Sequence, residues 1–573
     1  METRTIYISL LMSLAFVFAL GQQKPLPAKP QPDARRLNLP FPPAEVKAPP
    51  EEGEMRRTQE LPKIDLPEFV ITGIASIDLP EVEKESAEEN IDAFAPVVRD
   101  YLEEARDRVT AEVVIGDELR VTQPIVATYF GRAAAGFGSY NTPKLGIWFG
   151  RKDTEYHFLG EAKYHITRGF APYTNRSDGK VGVSGGRLLH SSSPWLDLAT
   201  VGGLMGYESE TYKFYGSATP SFTRTASKLS IGGNLTAPFS SSLEYEAGLH
   251  LTNLSLRDST SSTTQNTIDV ELLGRFPIES EVIESGIRFS NASLSGASSA
   301  NLPYLDVSIG TSKLWWGRFF VQPSAHFYYG KGMLGQELVR AYPHVNLGCR
   351  LSGRTVAMAS YEGRVRPTTL GSAIETYPYL STTTPLRHSD FRVDLSGGVE
   401  TDWDDVWRSR FTARLQSVED FPLYSDSARQ GIGMFLYGGK TTIASYRGDV
   451  FAKFSPNSYF ALALVVNSSE NTVKGGTVPY LPGFEASVVY SYGFPFGLTV
   501  APRVNFVDQR TIDVIGKARV AEYLLVGLHV EYAVFGTFNL FLDINNLTDR
   551  KYDEWRGFRA PPLLMHLGLN VRW

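Results

Sequence analysis

The chain has 573 residues, a formal net charge of −6 and a hydrophobic content of 42%. The slight acidity argues against a nucleic-acid partner. A single cysteine, Cys349, excludes an internal disulfide. Apart from the N-terminal segment, no apolar run is long enough for a transmembrane helix.

The N-terminus has the layout of a secretory signal peptide. Arg4 precedes an apolar run, Ile6–Leu20, and small residues stand at Ala19 and Gly21. We therefore expect residues 1–21 to be removed on export. An exported chain without a helical span can still cross a membrane as a closed β-barrel, because closure pairs every backbone group.

Two segments of different character follow. Residues 22–73 are rich in proline and charge, as in the run Lys24–Pro30, and predict an extended periplasmic arm. Residues 74–130 contain apolar residues at helical spacing between Glu85 and Arg108, interrupted at Pro96, and a strand-like run, Val113–Val121. This part predicts a short domain with one helix and one strand.

Residues 131–573 read as strands throughout, because polar and apolar residues alternate between turn signals. Charged side chains on the inner face of many strands would be costly in a sealed core but suit a water-filled lumen. A soluble β-sandwich would instead turn apolar residues inward. The polar residues that we expect to face the lumen are Glu244, Glu246, His250, Asp269, Glu271, Arg392, Asp394, His529, Glu531, Asp543 and Asn545.

The fold class that follows is all-β, a transmembrane antiparallel barrel with a short N-terminal periplasmic segment containing one helix. At roughly 20 residues per strand, the barrel holds about 22 strands, with 16 to 22 as the range. Aromatic residues are expected in girdles at the two membrane interfaces. The candidates are Tyr304, Trp315, Trp316, Tyr328, Tyr329, Tyr459 and Trp573.

The last strand carries a recognisable pattern. His566, Gly568, Val571 and Trp573 fit polar–x–Gly–x–x–apolar–x–aromatic, and the chain ends on the aromatic residue. This pattern resembles the C-terminal assembly signal of outer-membrane β-barrels. The resemblance implies the outer membrane of a Gram-negative bacterium, with the barrel assembly machinery and outer-membrane lipid as partners.

Two further segments resemble TonB-dependent receptors. Leu540–Tyr552 reads as an alternating strand followed by Asn-Leu-x-Asp and Lys-Tyr, and Asn546 and Asp549 are expected to build a tight periplasmic turn. The run Glu68, Phe69, Val70, Ile71, Thr72 and Gly73 is similar to the segment through which the inner-membrane TonB protein pulls on these receptors. Such a contact works by strand addition. The family's plug needs more chain than lies between Gly73 and Gly131, so the resemblance implies a shortened plug.

The resemblance implies passage of a solute across the outer membrane. Two alternatives stay open: a passive porin-like channel, and a non-transport scaffold that binds a periplasmic partner, while another chain could supply the plug. No residue set predicts a catalytic or metal site or a cofactor, so we do not expect an enzyme. The longest predicted loop, residues 371–385, carries Tyr377 and Tyr379, which can contact a ligand or pack within the protein.

Overall fold

The computed structural model describes residues 128–573, except 154, 194–195, 241–242, 279–280, 405, 427–429, 456–457, 474 and 515–517. The predicted signal peptide, the proline-rich arm with Glu68–Gly73, and most of residues 74–130 lie outside the described residues. The first described strand begins at Thr128.

The described chain forms one α-helix and strands that are numbered here in chain order. The helix is α1, Leu370–Thr376. The strands are β1 Thr128–Gly138, β2 Thr142–Lys152, β3 Tyr156–Thr167, β4 Arg176–Leu188, β5 Thr200–Lys213, β6 Thr223–Ser240, β7 Leu243–Asp258, β8 Ser262–Ile278, β9 Glu281–Gly296, β10 Ala300–Thr311, β11 Leu314–Trp316, β12 Phe319–Lys331, β13 Glu337–Arg350, β14 Thr355–Glu362, β15 Arg364–Arg366, β16 Ser389–Asp402, β17 Trp407–Glu419, β18 Leu423–Ser425, β19 Met434–Leu436, β20 Lys440–Ser455, β21 Ser458–Asn471, β22 Phe484–Gly493, β23 Leu498–Val507, β24 Arg510–Thr511, β25 Arg519–Val520, β26 Tyr523–Phe535, β27 Phe538–Asn545, β28 Asp553–Trp555, β29 Phe558–Arg559 and β30 Leu564–Arg572.

The main sheet closes on itself. It holds 24 strands, of which β11 and β15 are short continuations of their neighbours, so the closed ring has 22. Closure joins β1 to β30, from Arg132 opposite Arg572 to Gly138 opposite His566. The last residue, Trp573, exchanges both backbone hydrogen bonds with Gly131, at 2.9 and 3.0 Å. The predicted all-β antiparallel barrel and a strand number of about 22 are confirmed. The predicted N-terminal segment with one helix lies outside the described residues.

The two rims of the barrel differ. We call the rim where Trp573 meets Gly131 the terminal rim, and the opposite one the loop rim. Most connections at the terminal rim are tight turns, whereas those at the loop rim include residues 363–388, 420–439 and 546–563. In bacterial outer-membrane barrels the short turns are periplasmic and the long loops extracellular.

This arrangement corrects one expectation. Asn546 and Asp549 follow the end of β27, where Asn545 lies opposite Leu564, the first residue of β30. They therefore lie at the loop rim and not in a periplasmic turn. The predicted local bonding is present, since the Asn546 side chain bonds the backbone of Arg550 at 2.9 and 3.0 Å, and both residues adopt positive φ.

The membrane-spanning part is apolar outside and polar inside. In β2, Leu145, Ile147 and Phe149 point outward and are 56%, 56% and 43% exposed. In β30, the outward face carries Met565, Leu567 and Leu569, all exposed. An outward apolar band of this kind is what a bilayer requires. Within the described residues, no helix is long and apolar enough to cross a membrane.

The aromatic girdle is only partly as predicted. Trp315, Trp316 and Trp573 are more than half exposed and lie at the terminal rim. Tyr329 lies on the outward face of β12 and is half-buried. The prediction is wrong for Tyr304, Tyr328 and Tyr459, which are at most 4% exposed and face inward. The reason is strand parity, because Tyr304 shares a face with the inward Asp306, and a residue on that face cannot reach lipid.

On one side of the barrel the strands continue beyond the apolar band. We call this part, which consists of the loop-rim ends of β5–β10, the raised wall. In the raised wall the inward and outward faces of the sheet exchange polarity. The inward face becomes apolar and buried: Leu254, Leu256, Ala292, Leu294 and Leu302. The outward face becomes polar, with two cations, Lys213 and Arg257, among the uncharged residues Ser209, Thr211, Thr225, Ser227, Asn253, Ser255, Thr264, Asn266, Asn291, Ser293, Ser295 and Asn301. The raised wall is thus built like a soluble protein, with a dry inside and a wet outside.

Candidate functional site

The lumen wall is lined by ion pairs between neighbouring strands. On β7–β9, Glu244 binds Arg275 at 2.6 Å, and Glu271 binds Arg288 at 2.7 Å. The remaining residues that sequence placed here, Glu246, His250 and Asp269, lie on the same inward face as Leu254, because residues two apart share a face. His250 stands directly opposite Asp269.

A second group surrounds Asp394 on β16. Its carboxylate is 2% exposed and accepts hydrogen bonds from Arg414 at 2.6 and 2.5 Å, from Arg364 at 3.0 Å and from Gln416 at 3.0 Å. Arg392 sits at an irregularity in the pairing of β16 with β17 and binds Glu419 at 2.6 Å. The contacts with Arg414 and Arg364 compensate the buried negative charge of Asp394. This group is therefore a structural part of the lumen wall.

A third group joins β23, β26 and β27. His529 lies 2.6 Å from Asp543, and Glu531 accepts a hydrogen bond from Asn539 at 2.6 Å. Asn545 accepts a hydrogen bond from Arg503. All four residues that sequence analysis placed here, His529, Glu531, Asp543 and Asn545, therefore share one inward patch.

Further inward pairs were not singled out from the sequence. Glu161 lies 2.7 Å from Lys180 and 3.5 Å from Lys163. The rings of His326 and His344 stack with centroids 3.8 Å apart, and Asp306 lies 3.0 Å from His326. Alternation gives the face of each residue, but only the register between strands decides which of them meet.

The C-terminal pattern residues divide between the two faces. His566 and Gly568 face the lumen, and His566 is 1% exposed. Val571 and Trp573 face outward. A Cβ added at Gly131 would clash with the Trp573 ring, so the terminal indole lies directly over Gly131 of the first strand.

The loop rim is covered by a cap, which we define as the described residues of 367–388, 420–439, 472–483, 508–522 and 546–563. These segments fold over the lumen and pack on one another and on the raised wall. Leu370, Ala373 and Ile374 of α1 lie in one apolar cluster with Leu254 and Leu256 of the raised wall. A second cluster joins Leu423, Val478 and Val514 from three different cap segments.

Aromatic side chains hold the cap segments together. The Tyr379 and Phe558 rings stack with centroids 3.5 Å apart and an interplanar angle of 17°. Tyr377 stacks on Tyr424 at 5.2 Å, with Trp555 5.4 Å away. Burial raises the pKa of Tyr377 to about 12, so its phenol stays protonated. Of the two alternatives for this loop, packing within the protein is the one seen.

A buried arginine fastens the cap to the raised wall. Arg224 is 1% exposed and binds both carboxylate oxygens of Asp258 at 2.7 and 2.8 Å. Its remaining nitrogen donates to the backbone oxygens of Pro378 and Leu380 at 3.1 and 2.8 Å. The guanidinium thus connects two barrel strands to the cap segment 367–388.

Polar contacts secure the ends of the same segment. The Gln265 side-chain oxygen accepts a hydrogen bond from the Leu370 amide at 2.7 Å, at the start of α1. His388 accepts a hydrogen bond from the Thr368 amide at 3.2 Å and lies 3.2 Å from the Pro303 oxygen. Burial lowers the pKa of His388, so the neutral imidazole is favoured.

This geometry describes a wet, ion-paired lumen beneath a dry cap. Among the described residues, no group of three His, Cys, Asp or Glu side chains is placed to hold a metal ion. Among the described residues, the cap closes the ion-paired lumen at the loop rim. The cap was not predictable in detail, although the tyrosine-rich loop at residues 371–385 was a correct pointer to it.

No protein-family model matches the sequence, and no curated protein matches it. Solved structures match the barrel well. The FrpB iron transporter from Neisseria meningitidis is 11% identical, with a TM-score of 0.62 over 78% of this chain and 81% of that chain. The siderophore receptor PiuA from Acinetobacter baumannii is 11% identical, with a TM-score of 0.63 over 79% and 82%. The copper transporter OprC is 12% identical, with a TM-score of 0.61 over 78% and 80%.

At such low identity these likenesses establish the fold. The closed ring of 22 strands, the outward apolar band and the long loops at one rim agree with it. The chain therefore has the closed, 22-stranded barrel fold of these transporters and receptors.

Proposed function

We propose that this protein takes up a polar solute across the outer membrane through its barrel lumen. The observation that carries the proposal is the cap: the protein's own loops close a wide, ion-paired lumen on the extracellular side. The closure is held by the fully buried Arg224–Asp258 pair and by stacked aromatic rings. A passive channel does not need such a closure. A receptor needs an outer closure that opens to admit its ligand.

The solute class is suggested by the lumen wall and the structural neighbours. Those neighbours are an iron transporter, a siderophore receptor and a copper transporter. A metal chelate bears charge and hydrogen-bonding groups, and the alternating carboxylates and cations of the wall can bind either sign. We propose a metal-bearing solute as the cargo.

Energised uptake requires a contact with the inner-membrane TonB protein. The segment Glu68–Gly73 is our candidate for that contact, and it acts by adding a strand to the partner. Its sequence supports the proposal through the apolar run Phe69–Ile71, which stands between Glu68 and the pair Thr72 and Gly73.

Deletion of residues 68–73 tests the proposal, with deletion of six residues from the proline-rich arm, 27–32, as the matched control. Uptake of radioactive iron and copper, free and chelated, is measured in cells that depend on this protein. Uptake lost only in the 68–73 deletion, with heat-modifiable barrel still present, supports energised transport. Uptake retained in both deletions refutes energised transport and favours a pore. No uptake by the intact protein, with a partner protein lost from pull-downs on deletion, favours a scaffold.

A further inference from the structure

Two histidines on the lumen wall are each bound to a carboxylate through the same ring nitrogen. The Nδ1 of His165 on β3 lies 2.8 Å from Asp178, and the Nδ1 of His326 on β12 lies 3.0 Å from Asp306. An ionised carboxylate can only accept a hydrogen bond, so the neutral imidazole carries its proton on Nδ1 in both cases. The Nε2 of each ring therefore keeps its lone pair, and it makes no hydrogen bond within the described part of the chain.

Both rings are accessible from the lumen. The His165 side chain is 26% exposed, and the His326 side chain is 17% exposed. His165 shares the inward face of β3 with Glu161, and His326 shares the inward face of β12 with Tyr328. The His326 ring is also fixed in orientation, because it stacks on His344 with centroids 3.8 Å apart and an interplanar angle of 14°. A solute in the lumen thus meets a nitrogen lone pair that is already oriented.

Other histidines lack one of these two properties. His529 makes the same bond to Asp543 at 2.6 Å, but it is 7% exposed and its Nε2 lies 3.7 Å from Glu531. His157 and His190 are exposed, but no carboxylate of a described residue lies within hydrogen-bonding distance of either ring. In the part of the chain that the structure describes, exposure and a carboxylate on Nδ1 thus occur together in the two rings of the preceding paragraphs.

This arrangement is the one by which histidine ligates metal ions. A carboxylate on one ring nitrogen fixes the tautomer and the ring orientation, and it makes the other nitrogen a better ligand. Imidazole nitrogen suits copper(II), nickel(II) and zinc(II), whereas oxygen donors suit harder cations. Each of the two sites offers one nitrogen, since no group of three His, Cys, Asp or Glu side chains in the described residues could hold a metal ion. A complex that is held by a single protein ligand can be released again, as passage through a lumen requires.

From these two sites we propose that the cargo is a complex of a divalent transition metal that has one exchangeable coordination position. In the lumen, the Nε2 of His326 or of His165 displaces a water from the metal and donates its lone pair to that position. The metal keeps its oxidation state, and the water leaves with its own electron pair. This inference rests on the proposed uptake of a metal-bearing solute and narrows it. A complex whose chelator fills every position on the metal is not held by these two histidines.

The test uses the full-length protein in mild detergent at pH 7.5 and measures each histidine separately. The probe is copper(II)–iminodiacetate, whose chelator leaves coordination positions open, and the comparison is copper(II)–EDTA, whose chelator fills them. Diethyl pyrocarbonate modifies free imidazole nitrogens, and mass spectrometry of peptides measures the modification of each histidine. We expect His165 and His326 to be half-protected at about tenfold lower probe concentration than His157 and His190. Copper(II)–EDTA should protect none of the four.

The two carboxylates provide matched variants that control for each other. Asp306→Ala should raise the half-protecting concentration about tenfold at His326 and leave His165 unchanged, because losing the carboxylate behind a ligating histidine weakens metal binding by at least about that factor. Asp178→Ala should have the converse effect. If either variant does not give heat-modifiable barrel, the corresponding change to asparagine is measured, with a several-fold increase expected at the adjacent histidine.

Selective protection of His165 and His326, weakened at the matching histidine in each variant, supports the proposal. The proposal is overturned if either histidine is no better protected than His157, if diethyl pyrocarbonate does not reach it, or if its protection is unchanged in the matching variant. Equal protection by copper(II)–EDTA overturns it as well.

These measurements do not depend on transport, so the two proposals can fail separately. Copper uptake by cells without selective protection would overturn this inference and leave the proposed function intact. Selective protection without any metal uptake would support the two sites and overturn the proposed function.

Discussion

Replacing Arg224 by methionine should release the cap from the raised wall. The substitution keeps an unbranched side chain but removes the cation that binds the Asp258 carboxylate. Asp258 is buried, with 8% of its surface exposed. It also removes the donor for the Pro378 and Leu380 oxygens. Removing one partner of a buried ion pair costs about 3–5 kcal/mol. If the whole cost falls on the docking of this one segment, the population of its open state rises by roughly two to four orders of magnitude.

Hydrogen exchange read by mass spectrometry measures this directly. The amides of residues 370–386 should exchange faster in Arg224→Met by up to that factor, whereas peptides from β20 and β21 should not change. The double variant Arg224→Met, Asp258→Leu is the control, because replacing both members of a buried pair by apolar residues is often neutral. Its exchange should return most of the way to that of the natural sequence.

Two results would refute this reasoning. Unchanged exchange in the single variant would mean that the apolar cluster alone holds the cap. A double variant as labile as the single one would mean that the two backbone hydrogen bonds, and not the stranded carboxylate, dominate the loss.

Other predictions concern the cap and the closure of the barrel between β1 and β30. Tyr379→Ala should destabilise the cap by about 3–5 kcal/mol through loss of the stack on Phe558, seen as faster exchange, while Tyr379→Phe should change little. Acidification should weaken the cap: the pKa of His388 is lowered in the folded state, so the released segment binds a proton first, and stability falls as the pH drops below about 6.5. Exchange of 367–388 at pH 7.5 and 5.5 checks this, and His388→Asn should lose that dependence. Deletion of Trp573 should lower the amount of heat-modifiable barrel. Gly131→Val should do the same, because its Cβ would clash with the Trp573 indole. Normal amounts of barrel in both variants would contradict the role of this contact in closing β1 on β30.

Much of the barrel could be predicted because its physics is local. Period-two alternation assigns each side chain to a face, and the polar residues of β7, β16 and β27 lie inward accordingly. The same rule, applied more strictly, would have placed Tyr304 inward beside Asp306. The rest depends on contacts far apart in sequence, such as the Tyr212 hydroxyl on the Pro378 oxygen, 166 residues away. No local pattern encodes those contacts.

The raised wall shows a signal that was present in the sequence but easy to overlook. In β7 the outward apolar residues Leu249 and Leu251 occupy odd positions, whereas Leu254 and Leu256 occupy even ones. This change of phase looks like the end of a strand. In the structure the strand continues to Asp258, and the phase changes because the environments of the two faces are exchanged.

The raised wall also makes the mouth of the barrel mechanically one-sided. Four of the five cap segments arise from strands between β17 and β30. Three of them, 420–439, 472–483 and 546–563, join apolar clusters that include residues of β5–β10. Each of these segments is therefore connected covalently to the barrel on one side of the lumen and held only by noncovalent contacts on the other. When the cap opens, the noncovalent contacts with the raised wall should break first. The opening should therefore form between the cap and the raised wall. A cargo would then enter along a fixed, rigid surface rather than through the centre of the ring.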